Sequence, residues 1–538
     1  MKQPIDLRPD HARIVHEIIA RHLPSGASVR VFGSRAKWSA KPHSDLDLAL
    51  KGKGPLPRDV LGDLAEAFSE SDLPFRVDVV DWHSVAPSFQ AVIDRDAVLF
   101  SQAKQWETMT LGKAGVSLID CVHATPKPAI VGYPYIAIPE MKDGRLDFES
   151  ARKITIEDFT AWTRKAHPRK DDVVLSRRTN PGVTAPVGDQ SDFALGQNLV
   201  LLRANGTRVA PEFLRWLVSS PQWWTQIQKF MNVGAVFNSL KCADVPNFEL
   251  PIPPKEEQLA IASTLAALDD KIELNRRMNE TLERQALAIF RDWFVDFGPV
   301  RRAQAGATDP VAIMGGLTPD PARAVHLAAF FPAAFGNDGL PVGWSDRPLD
   351  SIAEFLNGLA LQKHPATPGE PDLPVIKIAE LRNGLTERSN RAARTLPAKY
   401  IIKDGDFIFS WSGSLMAKVW TEGEGALNQH LFKVSSDAYP QWFYALWVHH
   451  HMPEFQLIAA SKATTMGHIQ RMHLTNAATV CPPDPTLVAM SAVMQPLWGR
   501  MIHNELENRT LAETRDYLLP RLMSGAVRVG SSRLAAEF

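Results

Sequence analysis

Residues 251–282 read PIPPKEEQLAIASTLAALDDKIELNRRMNETL and align without a gap to residues 480–511, VCPPDPTLVAMSAVMQPLWGRMIHNELENRTL. In both stretches a Pro-Pro pair precedes a long helical pattern. The two stretches also share asparagines, since Asn275 aligns with Asn504 and Asn279 with Asn508. A unit that recurs at a fixed offset predicts two similar modules in one chain.

Both helical patterns carry apolar residues at alternating steps of four and three, which is the spacing of a coiled-coil seam. The first seam runs from Ile261 to Trp293, and the asparagines fall within both seams. An asparagine in an apolar seam selects register and partner, because an unpaired amide is penalised there. We therefore expect the two helices to pack on each other, although each could instead pack only on its own domain. Pro496 predicts a kink or a late start in the second helix.

Further similar residues and short segments support the duplication, and they occur in the same order in both halves of the chain. They are Trp106 with Trp344, Asp172–Ser176 with Asp406–Ser410, Ala194–Gln197 with Ala426–Gln429, and Pro211 with Pro440. Basic clusters also recur, at 152–178 and 377–403, and they are either solvated charged faces or surfaces for a DNA backbone. A 33-residue seam spans roughly 50 Å at 1.5 Å per residue and would hold two DNA-reading modules one to two helical turns apart.

Length and composition set the broad class. A chain of 538 residues is long enough for three or four domains, and its net charge of −1 is not that of a uniformly basic nucleic-acid binder. No apolar run approaches the ~20 residues of a membrane helix, and the N-terminus lacks an apolar signal core. Cys121, Cys242 and Cys481 are far apart without metal-ligand spacing, so we expect a reducing cytoplasm and cysteines that fill cores.

The expected fold is a multidomain α+β protein. An α/β domain with a helix at 9–22, strands at 29–32, 46–50 and 75–80, and a helix at 58–70 comes first. Two duplicated α/β domains and two long helices that pair as an antiparallel coiled coil follow. The N-terminal domain is predicted at 1–100, the first module at 101–253 and the first long helix at 254–297. A linker with a short helix near 321–331 is predicted at 298–343. The second module follows at 344–483, the second long helix at 484–525, and a frayed tail at 526–538.

Several motifs show that residues 101–525 resemble the DNA-specificity subunit of a type I restriction-modification system. They are Leu250-Pro-Ile-Pro-Pro-x-x-Glu257-Gln258, Leu268-Asp269-x-Lys271-Ile272, Ala288-Ile-Phe-x-x-Trp293-Phe-Val-Asp-Phe297, and Tyr517-Leu-Leu-Pro-Arg-Leu-Met-Ser-Gly525. The second repeat departs from the pattern, because Asp484-Pro-Thr replaces the Glu-Gln pair after its Pro-Pro. We therefore expect the second helix to dock differently from the first.

The resemblance implies two target recognition domains that each read one half of a split double-stranded DNA sequence. It also implies two methyltransferase subunits that use S-adenosylmethionine, and restriction subunits driven by ATP, while the specificity subunit itself performs no chemistry. Arginine reads guanine and asparagine reads adenine most effectively, although most protein contacts go to phosphates. The candidates are Arg177, Arg178 and Asn180 in the first module and Arg388, Arg391 and Arg394 in the second.

The first hundred residues lie outside that pattern and carry a different motif. Gly33-Ser34 follows an apolar strand, Asp45-Leu46-Asp47 comes ten residues later, and Asp78 lies on a further strand. Two aspartates at a spacing of two on a strand point to one face, and a third from a neighbouring strand can complete a metal site. A Gly-Ser turn lets backbone N–H groups approach a phosphate.

This motif resembles the minimal nucleotidyltransferase domain of the polymerase-β superfamily, whose members are often antitoxins that adenylylate a partner toxin. The resemblance implies that Gly33 and Ser34 hold nucleotide phosphates, with Arg35 as a further phosphate contact. It implies that Asp45, Asp47 and Asp78 bind Mg²⁺ beside a nucleoside triphosphate, and that Asp78 assists deprotonation of the acceptor. A decayed domain that keeps the fold without activity is the alternative.

Three functions compete at this point. The leading one is a DNA-specificity subunit with a fused nucleotidyltransferase-like module. In the second, the chain is an adenylylating enzyme that the recognition repeats target to a complex or to DNA, with a protein as its substrate. In the third, the helices are an assembly scaffold that binds DNA without reading its sequence.

Overall fold

The computed structural model describes residues 5–24, 27–37, 40–41, 44–100, 106–142, 144–232, 238–318, 320–461, 467–525, 527 and 529. Contacts divide the chain into two compact units, of which the first comprises residues 1–265 with 517–538 and the second residues 266–516. Most of the predicted tail lies outside the described residues. Across the described part, no helix is long and apolar enough to cross a membrane.

The N-terminal domain is a four-stranded sheet with strand order β3-β2-β1-β4 and four helices. Strands β1 and β2 are antiparallel, whereas β2 and β3 are parallel. The predicted helix at 9–22 is confirmed, and the other four predicted elements lie within two residues of the observed ones. In chain order the elements are α1 (Pro9–His22), β1 (Ser28–Phe32), α2 (Gly33–Ala36), β2 (Leu46–Lys51), α3 (Arg58–Ser69), β3 (Val77–Asp81), a 3₁₀ turn (Trp82–Ser84), α4 (Pro87–Asp96) and β4 (Val98–Leu99).

The alternation of side chains along β2 separates the core of this domain from its polar face. Leu46, Leu48 and Leu50 are fully buried in the main core. Successive residues of a strand point to opposite faces, so Asp47 and Ala49 lie on the other face. Ala49 is covered there in a second cluster that includes Ile93 of α4. Asp47 stays partly exposed beyond that cover.

The first recognition domain contains three small sheets, with strand orders β10-β7-β13, β12-β11-β14-β6 and β15-β5, and a hairpin of β8 and β9. Its elements are β5 (Glu107–Thr110), β6 (Val116–Asp120), β7 (Tyr133–Ile136), a 3₁₀ turn (Ile138–Glu140), β8 (Met141–Lys142), β9 (Arg145–Leu146), β10 (Lys153–Ile154), α5 (Ile156–Thr163), β11 (Val173–Ser176), β12 (Thr184–Pro186), β13 (Ala194–Leu195), β14 (Leu199–Ala204), α6 (Pro211–Leu217), α7 (Pro221–Phe230), a 3₁₀ turn (Val245–Asn247) and β15 (Glu249–Ile252).

A long helix and a compact helical segment follow. They comprise α8 (Lys255–Phe290), a π-helical turn (Arg291–Val295), α9 (Gly298–Gln304), α10 (Pro310–Ile313) and α11 (Pro321–Ala328). The segment predicted as a linker with one short helix thus contains three helices. Met314 and Leu327 from this segment are buried in the large aromatic core of the second unit together with Trp293. Arg302 donates to both carboxylate oxygens of Asp292 at 2.8 and 2.7 Å and ties the segment to the end of the long helix.

The second recognition domain has the strand orders β19-β18-β23-β20, β17-β24-β21-β22 and β16-β25. Its elements, with the final helix, are β16 (Ser345–Pro348), α12 (Leu349–Ile352), β17 (Glu354–Asn357), a 3₁₀ turn (Leu361–Lys363), β18 (Asp372–Ile376), α13 (Ile378–Asn383), β19 (Arg391–Ala393), a 3₁₀ turn (Ala398–Tyr400), β20 (Ile401–Ile402), β21 (Phe407–Ser410), β22 (Met416–Val419), β23 (Gly425–Leu427), β24 (Leu431–Ser435), α14 (Gln441–Ser461), α15 (Arg471–Asn476), β25 (Ala478–Cys481) and α16 (Asp484–Met523).

Among the described residues, the predicted duplication holds for most strands, although β20 and the β8–β9 hairpin each occur in one domain only. The similar segments Asp172–Ser176 and Asp406–Ser410 fall on β11 and β21, which occupy the same position in the two four-stranded sheets. The parallel pair β7–β13, with Ile136 opposite Leu195, recurs as β18–β23, with Ile376 opposite Leu427. Equivalent residues of the two domains can therefore be read from the strand registers.

The predicted antiparallel packing of the two long helices is confirmed within the second unit. Asn275 donates through Nδ2 to Asn508 Oδ1 at 3.1 Å, and Asn504 Nδ2 donates to Asn279 Oδ1 at 2.8 Å. Because Asn275 aligns with Asn504 and Asn279 with Asn508, the two hydrogen bonds are equivalent contacts of the two repeats. Such mutual exchange of equivalent contacts is the mark of a twofold interface, here formed within one chain.

The start of α16 corrects one expectation. The helix begins at Asp484 and continues through Pro496, so the predicted late start is wrong. Proline lacks an amide hydrogen and cannot donate within a helix, but packing of the helix compensates for that loss. Its neighbours Met494 and Trp498 are buried in the aromatic core.

The two long helices dock on their own recognition domains by different contacts, as the missing Glu-Gln pair predicts. Gln258 is fully buried, accepts from the amide of Ala210 at 2.8 Å and donates to the carbonyls of Arg208 and Pro253. In the second repeat the aligned residue is Leu487, which is buried in the aromatic core. At this aligned position the first helix is therefore held by hydrogen bonds and the second by apolar packing.

We predict that Asn275→Ala destabilises the helix pair by about 1–3 kcal/mol, because it removes a buried amide and strands its partners. Asn275 also donates to Glu507 and accepts from Lys271, at 2.7 and 3.1 Å. Leu274→Ala is the control, because Leu274 is 55% exposed beside it. Urea unfolding followed by helical circular dichroism measures the difference. Equal midpoints for the two variants would contradict an energetic role for the amide.

Candidate functional site

The three aspartates of the N-terminal motif converge at one end of the sheet. Asp47 lies opposite Asp78 in the parallel ladder of β2 and β3, and Asp45 comes two residues before Asp47. The pKa of Asp47 is raised, first because burial disfavours its charge and then because Asp78 and Asp45 add negative charge nearby. Like charges at this proximity favour a bound cation, which would relieve both effects.

Gly33 brings the backbone close to these carboxylates. It lies opposite the site at the end of β1, where Phe32 pairs with Asp47, and it has a φ of +75°. A Cβ atom at this position would lie 2.2 Å from Asp47 Oδ2, so any larger residue would displace the carboxylate. Ser34 follows in the first turn of α2. The glycine therefore leaves a cradle beside Asp47 that fits the backbone-to-phosphate contact of the sequence motif.

Arg35 has a different environment from the one expected for a phosphate contact. Its side chain is buried, its Nε and Nη2 donate to the carbonyl of Ser44, and its Nη1 donates to the carbonyl of Asp6. The guanidinium also stacks on Phe75, 4.0 Å from the ring centroid. Through Ser44 it holds the chain directly before Asp45.

Arg76 is a basic residue at this site that the sequence analysis did not single out. Its Nε lies 2.8 Å from Asp78 Oδ1, and both side chains are substantially exposed. The signal was present, since Arg76 precedes Asp78 by two residues within the predicted strand at 75–80. Strand periodicity alone places both on one face.

In the first recognition domain, Arg177, Arg178 and Asn180 lie together in the turn that follows β11. Arg178 and Asn180 are exposed, and Thr179 between them has a φ of 64°. Arg177 is half-buried, and its backbone bonds to Asn198 and Leu240. Thr179 also lines a cavity of about 330 Å³ together with Arg152, Gln197 and Asn198.

The second set of predicted DNA-contacting residues lies in a different part of the repeat. Arg391 is on β19, Arg388 precedes that strand, and Arg394 follows it. Arg391 is paired with Asp372 and Arg394 with Glu424, whereas Arg388 is exposed. By strand register, Arg391 is equivalent to Lys153 of the first domain and not to Arg177. The two predicted sets therefore do not form equivalent surfaces.

The cysteines follow the sequence expectation only in part. Cys121 and Cys481 are buried in cores, as predicted, whereas Cys242 is partly exposed. In the structure, Asp120, Cys121 and His123 each offer a ligand atom, and the three atoms lie within 4.8 Å of one another. The overlooked signal is the short spacing of Asp120-Cys121-x-His123.

Comparison with known proteins extends these observations. Residues 129–284 match the family model described as type I restriction modification DNA specificity domain. Residues 16–105 match the model described as polymerase beta, nucleotidyltransferase. The two matches fall on the duplicated part and on the N-terminal domain, respectively.

Individual relatives divide in the same way. The chain is 25% identical over 419 residues to the type I restriction enzyme MjaIX specificity subunit of Methanocaldococcus jannaschii, covering 75% of this chain and 86% of that protein. It is 25% identical over 413 residues to the HindI specificity subunit of Haemophilus influenzae, covering 69% and 90%. Over 101 residues it is 39% identical to the probable protein adenylyltransferase MntA of Haemophilus influenzae, covering 19% and 88%. Residues 129–284 therefore form a type I restriction-modification DNA specificity domain, and residues 16–105 form a nucleotidyltransferase domain of the polymerase-β type.

Proposed function

We propose that the chain reads a split sequence on double-stranded DNA and directs two methyltransferase subunits and the restriction subunits of a type I system to it. The observation that carries this proposal is the pair of recognition domains with matching strand order, each followed by a long helix. One such domain can read one half of a target, so two domains account for a bipartite target. A scaffold without sequence readout would not require both whole domains.

For the DNA contacts we propose Arg177, Arg178 and Asn180 in the first domain. Exposed side chains on a turn with a left-handed residue can reach a groove without moving the sheet behind them. In the second domain we propose Arg388, Arg391 and Arg394. Arg391 and Arg394 already bind carboxylates, and a DNA phosphate can replace a carboxylate as the acceptor of a guanidinium.

For the N-terminal domain we propose nucleotidyl transfer, with Asp45, Asp47 and Asp78 holding Mg²⁺. When bound, the ion would neutralise the triphosphate of the nucleotide and orient it. Gly33 and Ser34 would hold the phosphates through the backbone and the hydroxyl. Asp78 would accept the proton of the acceptor hydroxyl while the oxygen of that hydroxyl bonds to the α-phosphorus and pyrophosphate departs. We assign Arg35 to positioning of the Asp45 segment and Arg76 to the nucleotide side of the site.

A second candidate function makes this enzymatic step the main activity. The 39% identity to a probable protein adenylyltransferase favours it. In that case the substrate would be a protein, and the recognition domains would deliver the enzyme to a DNA-bound complex. The two functions can be separated because they use different parts of the chain.

Methylation sequencing tests the DNA-reading function. Cells that contain this gene and its methyltransferase partner should carry a split motif methylated on both strands, and deletion of the gene should remove it. An Arg178→Ala variant should weaken or relax only one half of the motif, by about 1–3 kcal/mol of discrimination if Arg178 reads a base. Arg277→Ala on an exposed helix face is the control. An unchanged methylome after deletion, with the partner expressed, would reject the proposal.

Transfer of label from radioactive ATP tests the enzymatic function. Asp45→Ala with Asp47→Ala should reduce labelling of any protein acceptor at least ~100-fold, because a metal-held phosphate contributes several kcal/mol to the transition state. Asp63→Ala is the matched control, since Asp63 is an exposed aspartate of the same domain. Methylation of the DNA target should persist in both variants. Equal labelling by the double variant and wild type would exclude catalysis at this site.

Stability measurements test the charge arrangement independently of any substrate. Because the pKa of Asp47 is raised in the folded state, its ionisation opposes folding. The folded state then loses stability as the pH rises from the ordinary aspartate pKa of about 3.9 through the raised pKa of Asp47 in the folded chain. Asp47→Asn should therefore raise the Tm of the metal-free chain at neutral pH, and the gain should vanish at low pH. Added Mg²⁺ should raise the Tm of wild type alone. An Asp47→Asn chain with the lower Tm at neutral pH would contradict this reasoning.

A further inference from the structure

The cluster at the end of β6 in the first recognition domain combines a buried thiol with groups that reach solvent. Asp120 ends the strand, and Cys121 and His123 follow it. Cys121 is 2% exposed, whereas the side chains of Asp120 and His123 are 42% and 52% exposed. The ligand atoms therefore meet at a point that is walled by protein on one side and accessible from the other.

The contacts of the His123 ring call for a cation beside Asp120. Nδ1 lies 3.0 Å from the carbonyl oxygen of Gln197, and Nε2 lies 2.9 Å from Asp120 Oδ2. A carbonyl only accepts, so Nδ1 carries the hydrogen, and in a neutral ring Nε2 then presents a lone pair to a carboxylate. A metal ion or a second proton would resolve this contact. A ring whose far nitrogen donates to a backbone carbonyl is also the usual arrangement of a metal-binding histidine.

The ligand atoms of Asp120, Cys121 and His123 lie within 4.8 Å of one another. One thiolate and one carboxylate would bring two negative charges together at this point. A divalent cation would balance them.

We propose that Asp120, Cys121 and His123 form a zinc site that is completed by solvent. A thiolate, an imidazole and a carboxylate are all ligands of Zn²⁺, and three protein ligands with water in the fourth position are one of its tetrahedral arrangements. A thiolate ligand disfavours Mg²⁺ and Ca²⁺, so this site differs in chemistry from the carboxylate site of the N-terminal domain. On binding, one S–Zn bond forms, the thiol proton passes to solvent, and Asp120 and the Nε2 atom of His123 complete the protein ligands.

The second recognition domain provides an internal comparison. The strand registers align Asp120 with Asn357, and hence Cys121 with Gly358 and His123 with Ala360. Trp411 occupies the position of Arg177 and donates through Nε1 to Asn357 Oδ1 at 3.0 Å. In the second domain, an indole–amide hydrogen bond thus occupies the position of the Asp120, Cys121 and His123 cluster of the first domain. The zinc site belongs to one repeat only.

The location of the site connects it to the proposed DNA contacts. The carbonyl of Gln197 orients His123, and the next residue, Asn198, accepts from the backbone amide of Arg177. Zinc would hold the end of β6 beside this segment and so support the turn that begins at Arg177. This consequence rests on the proposed function, whereas the zinc site itself does not.

Metal analysis of the full chain tests the proposal. The reduced protein is equilibrated with Zn²⁺, passed over a desalting column, and measured by mass spectrometry of the metal. We expect roughly one tightly held zinc per chain. His123→Ala and Cys121→Ser should weaken binding by more than ~100-fold. Cys481→Ser removes the buried cysteine of the other recognition domain and should retain the metal.

Cobalt substitution identifies the ligands. Wild type with Co²⁺ should show thiolate-to-metal absorption, and the N-terminal aspartate site cannot produce it because it contains no sulfur. His123→Ala, at an exposed position, decides the outcome if Cys121→Ser does not fold. Wild type without retained zinc and without thiolate–cobalt absorption would overturn the proposal and leave a second ring proton on His123. Equal retention by His123→Ala and Cys481→Ser would also overturn it. Loss of DNA readout with the zinc site intact would refute only the proposed function.

Discussion

The exchange of hydrogen bonds between Asn275 and Asn508, and between Asn504 and Asn279, is the constraint on which the duplicated part of the molecule depends. Apolar seams alone permit several registers, because one leucine replaces another at little cost when helices slide. Buried amides remove that freedom, since one register lets the Nδ2 groups of Asn275 and Asn504, both of which are fully buried, donate across the helix pair. The flanking pair of Arg515 with Asp269 at 2.8 Å agrees with the same register. A few polar groups thereby select the arrangement of the helices.

The parts of the fold that the sequence predicted well are those with a strong local or repeated signal. The alternation of Leu46, Leu48 and Leu50 with Asp47 indicated a strand with one buried face, and the repeated asparagines indicated the helix pair. The convergence of Asp47 with Asp78 followed from strand periodicity once both strands were recognised. The roles of Arg35 and Gln258 could not be predicted, because their partners are backbone carbonyls and, for Gln258, one amide, which leave no pattern in the sequence.

Errors arose where tertiary packing overrides a local preference. Pro496 was expected to kink the helix or delay its start, but the helix already begins at Asp484, and the neighbours of Pro496 pack in the aromatic core. The segment after Phe297 resembles a tether in composition, yet the Arg302–Asp292 ion pair and the buried Met314 hold it in place. The cysteines were considered one by one, whereas the ligand atoms of Cys121, Asp120 and His123 come together only where the chain leaves β6.

The edges of the recognition domains have one more implication. Each domain begins on a strand that pairs with the strand on which it ends, β5 with β15 and β16 with β25. Entry and exit therefore lie side by side, and the chain leaves each domain next to where it entered. A gene that encodes such a protein can exchange one module by recombination between short homologous borders, without changing the helices that follow. A recognition domain can then be replaced as a unit, while the paired helices are inherited unchanged.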